Sequence, residues 1–204
     1  MTGKLQRDGK PLPGVGVGLV QAEHAAQHMA YGHDEIATDE RGVFTFSNVT
    51  PGEDYFVHGK MQTLGEFGVL DTVRVPAPRD EQVVQAGSLS VAPGRRIAGQ
   101  VVLSDGRPVP PGTRLLISLD PAFDAQVRTL DPDGRFEFRG VPRGDISIDL
   151  RLRGYRFAKE STGFTVAHGF PECSAAGDRD VEGMRLVLEP GEEYAVPVVG
   201  KGKP

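Results

Sequence analysis

The chain has 204 residues, a formal net charge of -5 and a hydrophobic fraction of 38%, with 27 glycines, 16 prolines, one cysteine and no tryptophan. The acidic balance argues against a general nucleic-acid binder, which carries a strongly basic one, and the lone Cys173 excludes an internal disulfide. Glycine and proline at this level suit short strands joined by many turns.

In chain order, residues 3–5 read as the end of a strand closed by the turn Arg7-Asp8-Gly9-Lys10-Pro11. Val15, Val17 and Leu19 alternate with Gly16 and Gly18, giving a strand with one apolar face and one nearly bare face. Residues 21–32 are a polar loop with an alanine-rich centre, and residues 35–38 resume the strand pattern. Asp39-Glu40-Arg41-Gly42 then turns into a strand carrying Phe44 and Phe46, with residues 55–58 expected as its hairpin partner. Further strands are expected at residues 68–74 and 83–91.

A second copy follows. Gly42-Val43-Phe44-Thr45-Phe46 returns as Gly134-Arg135-Phe136-Glu137-Phe138, 92 positions on, while Asp8-Gly9 returns as Asp105-Gly106, 97 positions on. Leu89-Ser90-Val91-Ala92-Pro93-Gly94 is echoed by Leu186-Val187-Leu188-Glu189-Pro190-Gly191, again 97 apart. Two anchors at one period indicate an internal repeat. The fold expected is all-β: two tandem Ig-like or transthyretin-like antiparallel β-sandwich domains, residues 1–94 and 95–191. Residues 192–204 form a tail or the start of a third unit.

The motif Asp-Gly-(Lys/Arg)-Pro-(Leu/Val)-Pro, then Gly-x-Phe-x-Phe-x-x-Val-x-x-Gly about thirty residues on, resembles the carboxypeptidase regulatory-like domains. These are transthyretin-like sandwiches, also similar to collagen-adhesin B-type and starch-binding-like folds. The resemblance covers nearly the whole chain, through turn and core residues. It implies non-catalytic accessory or surface modules of larger exported proteins, and hence an extracellular or cell-envelope location. The catalytic motifs of enzymes sharing this architecture are absent: no His is followed by the His-x-x-Glu pattern of the zinc carboxypeptidases, and the chain ends Gly-Lys-Pro, not in the Tyr-Arg-Gly-Ser of the transthyretin-related hydrolases.

Two constellations stand out. His24, His28 and His33, beside Asp34 and Glu35, form the densest set of metal-type ligands; His-x-x-x-His places two rings on one face if the segment is helical. The alternative is a solvated loop at the end of a sandwich. The strand at residues 146–153 buries its even positions and turns Asp149, Arg151 and Arg153 outward. If it pairs with the preceding phenylalanine strand, Arg135, Arg139, Arg151 and Arg153 share one exposed face with Tyr155, able to hold carboxylates, sulfates or sugar rings. A solvated polar sheet face is the plainer reading.

No cofactor is implied. The function expected is a non-catalytic binding or structural unit, with a protein or polysaccharide partner and no nucleic acid. A carbohydrate-binding module is the alternative, through Tyr31, Phe67, Tyr155 or Phe170, and a metal-dependent enzyme on the histidine loop is the third reading. No run of roughly 18 apolar residues is present to insert in a membrane. Residues 1–5 do not resemble the core of a secretory signal, so the chain is either cytoplasmic or a piece of a longer exported one.

Overall fold

The two glycine turns marked by the repeat adopt one conformation. Gly42 and Gly134 have φ of 74° and 78°, a region that costs an L side chain roughly 1–2 kcal/mol. A Cβ at these positions would lie 2.5 Å from the Leu5 carbonyl oxygen and 2.3 Å from that of Val101, respectively. The Gly42 amide donates to the Asp39 carbonyl at 2.9 Å, and the Gly134 amide to the Asp131 carbonyl at 2.8 Å. Asp39 Oδ1 also accepts the Val43 and Arg41 amides at 2.8 Å, and the Val43 bond is the main reason its carboxyl titrates below the ordinary value.

These turns launch strands in a computed structural model that describes residues 1–23, 33–47, 49–76, 79, 83–119, 124–144, 146–158, 161, 165–166, 173–175 and 179–191. The first unit contains β1 (Thr2–Arg7), β2 (Lys10–Pro11), β3 (Gly16–Gln21), β4 (His33–Ala37), β5 (Val43–Thr45) and β6 (Tyr55–Gly59). The single-turn helix α1 (Met61–Leu64), β7 (Val73–Val75) and β8 (Gln85–Ser90) complete it. One sheet gathers β2, β5 and β8 around β1; the other runs β4-β3-β6-β7. The second unit contains β9 (Arg95–Leu103), β10 (Arg114–Leu119), β11 (Asp124–Thr129), β12 (Arg135–Val141) and β13 (Ile146–Leu150). It ends with β14 (Tyr155–Phe157), β15 (Thr165–Val166), β16 (Cys173–Ala175) and β17 (Val181–Pro190). Its sheets run β12-β9-β17-β14 and β11-β10-β13-β16-β15. The all-β fold therefore stands on the chain's own strands, and the pairing pattern repeats: β9 takes the place of β1, β12 of β5, β17 of β8.

The expected hairpins do not form. β5 pairs with β1, whereas β6 pairs with β3 and β7 in the facing sheet. Likewise β12 pairs with β9, and β13 with β10 and β16. The physical reason lies in the apolar pattern. Phe136 and Phe138 on β12 and Ile146, Ile148 and Leu150 on β13 are all buried. Crossing between sheets brings these two faces together across the core, as a sandwich requires. A second departure is the pairing of β1 with β8 and of β9 with β17, which is parallel, where an antiparallel sandwich was expected.

Two hydrophobic clusters result. One joins residues between Met1 and Val91, including Leu5, Val17, Leu19, Phe44, Phe46 and Val57. The other joins residues between Ile97 and Leu188, including Leu115, Ile117, Phe136, Phe138 and Leu186. The bare glycine face of β3 is filled by side chains: His58 lies over Gly18 and Lys60 over Gly16. The expected strand at 68–74 is reduced to an isolated Val69–Ala92 bridge followed by β7.

Candidate functional site: the joint between the units

Only Pro93 and Gly94 separate Ala92, the last paired residue of the first unit, from Arg95, the first residue of β9. The contacts across this short connection begin at α1. A four-residue helix has unsatisfied N–H groups at its start, and its N-cap, Lys60, makes no side-chain cap. The second unit supplies one instead. The Met61 amide donates to Asp124 Oδ2 at 2.6 Å. Asp124 Oδ1 accepts the Ala125 amide at 2.9 Å and lies 3.2 Å from Lys60 Nζ. The ammonium is also 3.5 Å from Glu35 Oε2. The Asp124 side chain is 1% exposed and that of Lys60 21%. Burial outweighs these hydrogen bonds and the Lys60 charge, and pushes the Asp124 carboxyl above its ordinary value.

The same surface closes an edge. Among the described residues β11 ends its sheet, and such a strand offers unpaired backbone groups to any neighbour. The Val127 amide donates to Gln62 Oε1 at 2.9 Å, and Gln126 Nε2 donates to the Met61 carbonyl at 3.2 Å. Nearby, backbones pack directly. Gly140 has φ of 62°, and a Cβ there would lie 2.7 Å from the Gly65 carbonyl oxygen and 2.8 Å from that of Gly68. Arg95 is buried, its Nε donating to the Pro142 carbonyl at 2.8 Å and its Nη2 to that of Gly144. The small cavity here, lined by His58, Met61, Leu64, Asp124 and Pro142, measures about 10 Å³. That is room for about one water molecule, far below the hundreds of Å³ typical of small-molecule sites.

The residues singled out from sequence fall elsewhere. His24 and His28 lie outside the described residues, as do Tyr31 and Phe170; the backbone of His33 opens β4. Among the described residues, no group of three or more His, Cys, Asp or Glu is placed to hold a metal ion. The shared arginine face is corrected by the strand pairing: Arg135 and Arg139 lie on β12, in one sheet, while Arg151 and Arg153 follow β13, in the other. Local carboxylates also engage these side chains. Arg135 Nε lies 2.9 Å from Asp133 and Arg151 Nε 3.3 Å from Asp149. Arg139 joins Glu137, which Arg96 binds at 2.9 Å while reaching Glu182 at 2.6 Å. Held by Arg96 and Arg139, the Glu137 carboxyl is lowered to about 2. The Tyr155 hydroxyl donates to Asp105 Oδ2 at 2.7 Å. Arg151 borders an open trough of about 600 Å³ with Pro110, Arg114, Leu116 and Asp149. Phe67 is 40% exposed, and its carbonyl accepts from Arg7.

No protein-family profile matches the chain, and no curated protein matches it. Among solved structures, a streptococcal ancillary pilin is similar at 17% identity and a TM-score of 0.36, over 95% of this chain and 63% of its own length. The minor pilin GBS52 of Streptococcus agalactiae is similar at 13% identity and a TM-score of 0.37, over 96% of this chain and 98% of that one. The Bacillus anthracis TIE protein is similar at 14% identity and a TM-score of 0.35, over 94% of this chain. The chain spans 34% of the TIE protein's length and less than two thirds of the ancillary pilin's. No helix among the described residues is long and apolar enough to cross a membrane.

Proposed function

We propose that this chain is a non-catalytic structural segment, two carboxypeptidase-regulatory-like sandwich modules (residues 1–94 and 95–191) fixed end to end, within a larger exported or cell-surface assembly. One observation carries the reading: a buried carboxylate of the second unit, Asp124, serves a helix and a lysine of the first. Flexible tandem domains meet through exposed, polar linkers; here two residues connect the units and the surrounding backbones touch. A segment of this kind sets distance and orientation between whatever lies on either side. Partner contact then falls to the outer faces, the trough beside Arg151 included, with an acidic protein or polysaccharide segment as its match.

Spin labels at Ser88 and Thr129, both exposed and one in each unit, test the reading in a Cys173→Ser background. A narrow interlabel distance distribution is expected. A broad one, as wide as that of a flexible linker, would refute a fixed segment.

A further inference from the structure

In both units the first and last of the described strands are parallel neighbours. β1 pairs with β8 at Thr2↔Gln85 and, past a register shift, in an unbroken run from Gly3↔Gly87 to Gln6↔Ser90; β9 pairs with β17 at Ile97↔Val181 and, past a second shift, in an unbroken run from Gly99↔Met184 to Leu103↔Leu188. The chain therefore enters each unit at one end of a ladder and leaves it at the other. We propose that the chain bears tension, with the β1–β8 and β9–β17 ladders acting as two shear clamps in series. The inference rests on the reading above, a structural segment held between two attachments.

The mechanics follow from the direction of pairing. Tension that enters along β1 and leaves along β8 slides the two strands past one another, so their ladder bonds resist together. Strands pulled apart from the same end open one bond at a time, each contributing little on its own. Additional bonds lie at the ends of the clamps: the Thr2 amide to the Val84 carbonyl at 2.9 Å, the Val91 amide to Gln6 at 2.8 Å, and the Ser104 amide to Leu188 at 2.8 Å.

Side chains oppose sliding too. Leu5 and Leu89 are buried beneath the first ladder, and Val101, Leu103, Leu186 and Leu188 beneath the second. Because successive side chains alternate faces, a slip of one residue, roughly 3.3 Å, sets every apolar side chain out of phase with its partners. Between the clamps, tension passes through Pro93 and Gly94 to Arg95, whose buried guanidinium is fastened to the carbonyls of Pro142 and Gly144.

Single-molecule force spectroscopy on the full chain with Cys173→Ser tests this in two pulling geometries. Handles at the two termini load both ladders in shear. Handles at the N-terminus and at Val83→Cys, a position 68% exposed just before β8, peel β1 from β8. The shear geometry should give two unfolding events, each releasing about 300 Å of chain, at no less than twice the peeling force at equal loading rate. A shear force below twice the peeling force would overturn the proposal. The outcome is separable from the spin-label result: a narrow distance distribution with equal forces removes the clamps alone, while a broad one with unequal forces removes the fixed joint alone.

Discussion

The segment after β6 in the first unit and its counterpart after β13 in the second part company on a shared scaffold. In the second unit the chain forms β14, which pairs with β17 and extends its own sheet, Arg156 meeting Glu189 across the pair at 2.9 Å. In the first unit the same place holds α1, and pairing with the last part of the unit shrinks to the Val69–Ala92 bridge. The helix turns its free amide to Asp124 and its Gln62 side chain to the edge of β11. One copy of the repeat finishes itself, and the other uses the same stretch to grip its neighbour. A repeat thus preserves the core while its connections are free to differ.

Substitutions should separate the two copies to different degrees. The largest effect should come from the cores. Phe138→Ala and Phe44→Ala remove rings that are 0% and 1% exposed, at a cost of about 3–5 kcal/mol. Because the clusters are separate, amide hydrogen exchange should show protection lost first in the unit mutated; equal loss in both would mean a single cooperative body. Next come the two glycine turns: Gly42→Ala and Gly134→Ala should each lose at least about 2 kcal/mol in urea unfolding, since positive φ and a carbonyl contact act together.

Asp124→Ala should cost about 2–3 kcal/mol, by leaving the Met61 amide without its acceptor and the half-buried Lys60 with Glu35 alone. Its signature is a loosened joint with both cores still protected, where Phe138→Ala gives the reverse. The smallest effects are those of pH. Glu137 has its carboxyl lowered to about 2, so its contribution is present above the ordinary glutamate value near 4.5 and is lost as pH falls toward 2. Asp124 has the opposite sign: its carboxyl is raised, so ionising it disfavours the folded joint, and stability falls as pH rises through its folded value. Glu137→Gln should flatten the acid loss measured by thermal melts between pH 4.5 and 2, and Asp124→Asn should remove the opposing slope.

What the sequence reveals divides along local and non-local lines. Gly-x-Phe-x-Phe carries its own turn, phase and burial, so the strands at Phe44 and Phe136 are legible from a few residues. Alternation fixes which face a residue takes, but not which strand lies beside it. The hairpin reading of β12 and β13 failed for that reason, and with it the common arginine face. The joint was less visible still. Met61-Gln62-Thr63-Leu64 is too short for a helical period, and Asp124 is 64 positions from its partner Lys60. One trace existed: on β11 the polar Asp124 and Gln126 are buried while Ala125 and Val127 are half-exposed. A strand with its polar phase inward asks for a polar neighbour, and the neighbour is the other unit.

In the proposed segment, Asp124 and its partners fix the two units as one body. ¹⁵N relaxation of the wild type and of Asp124→Ala measures this directly, through the rotational diffusion of each unit. A single tumbling time shared by both units in the wild type, and two shorter ones after the substitution, is the result predicted. Separate tumbling of the units in the wild type would contradict it.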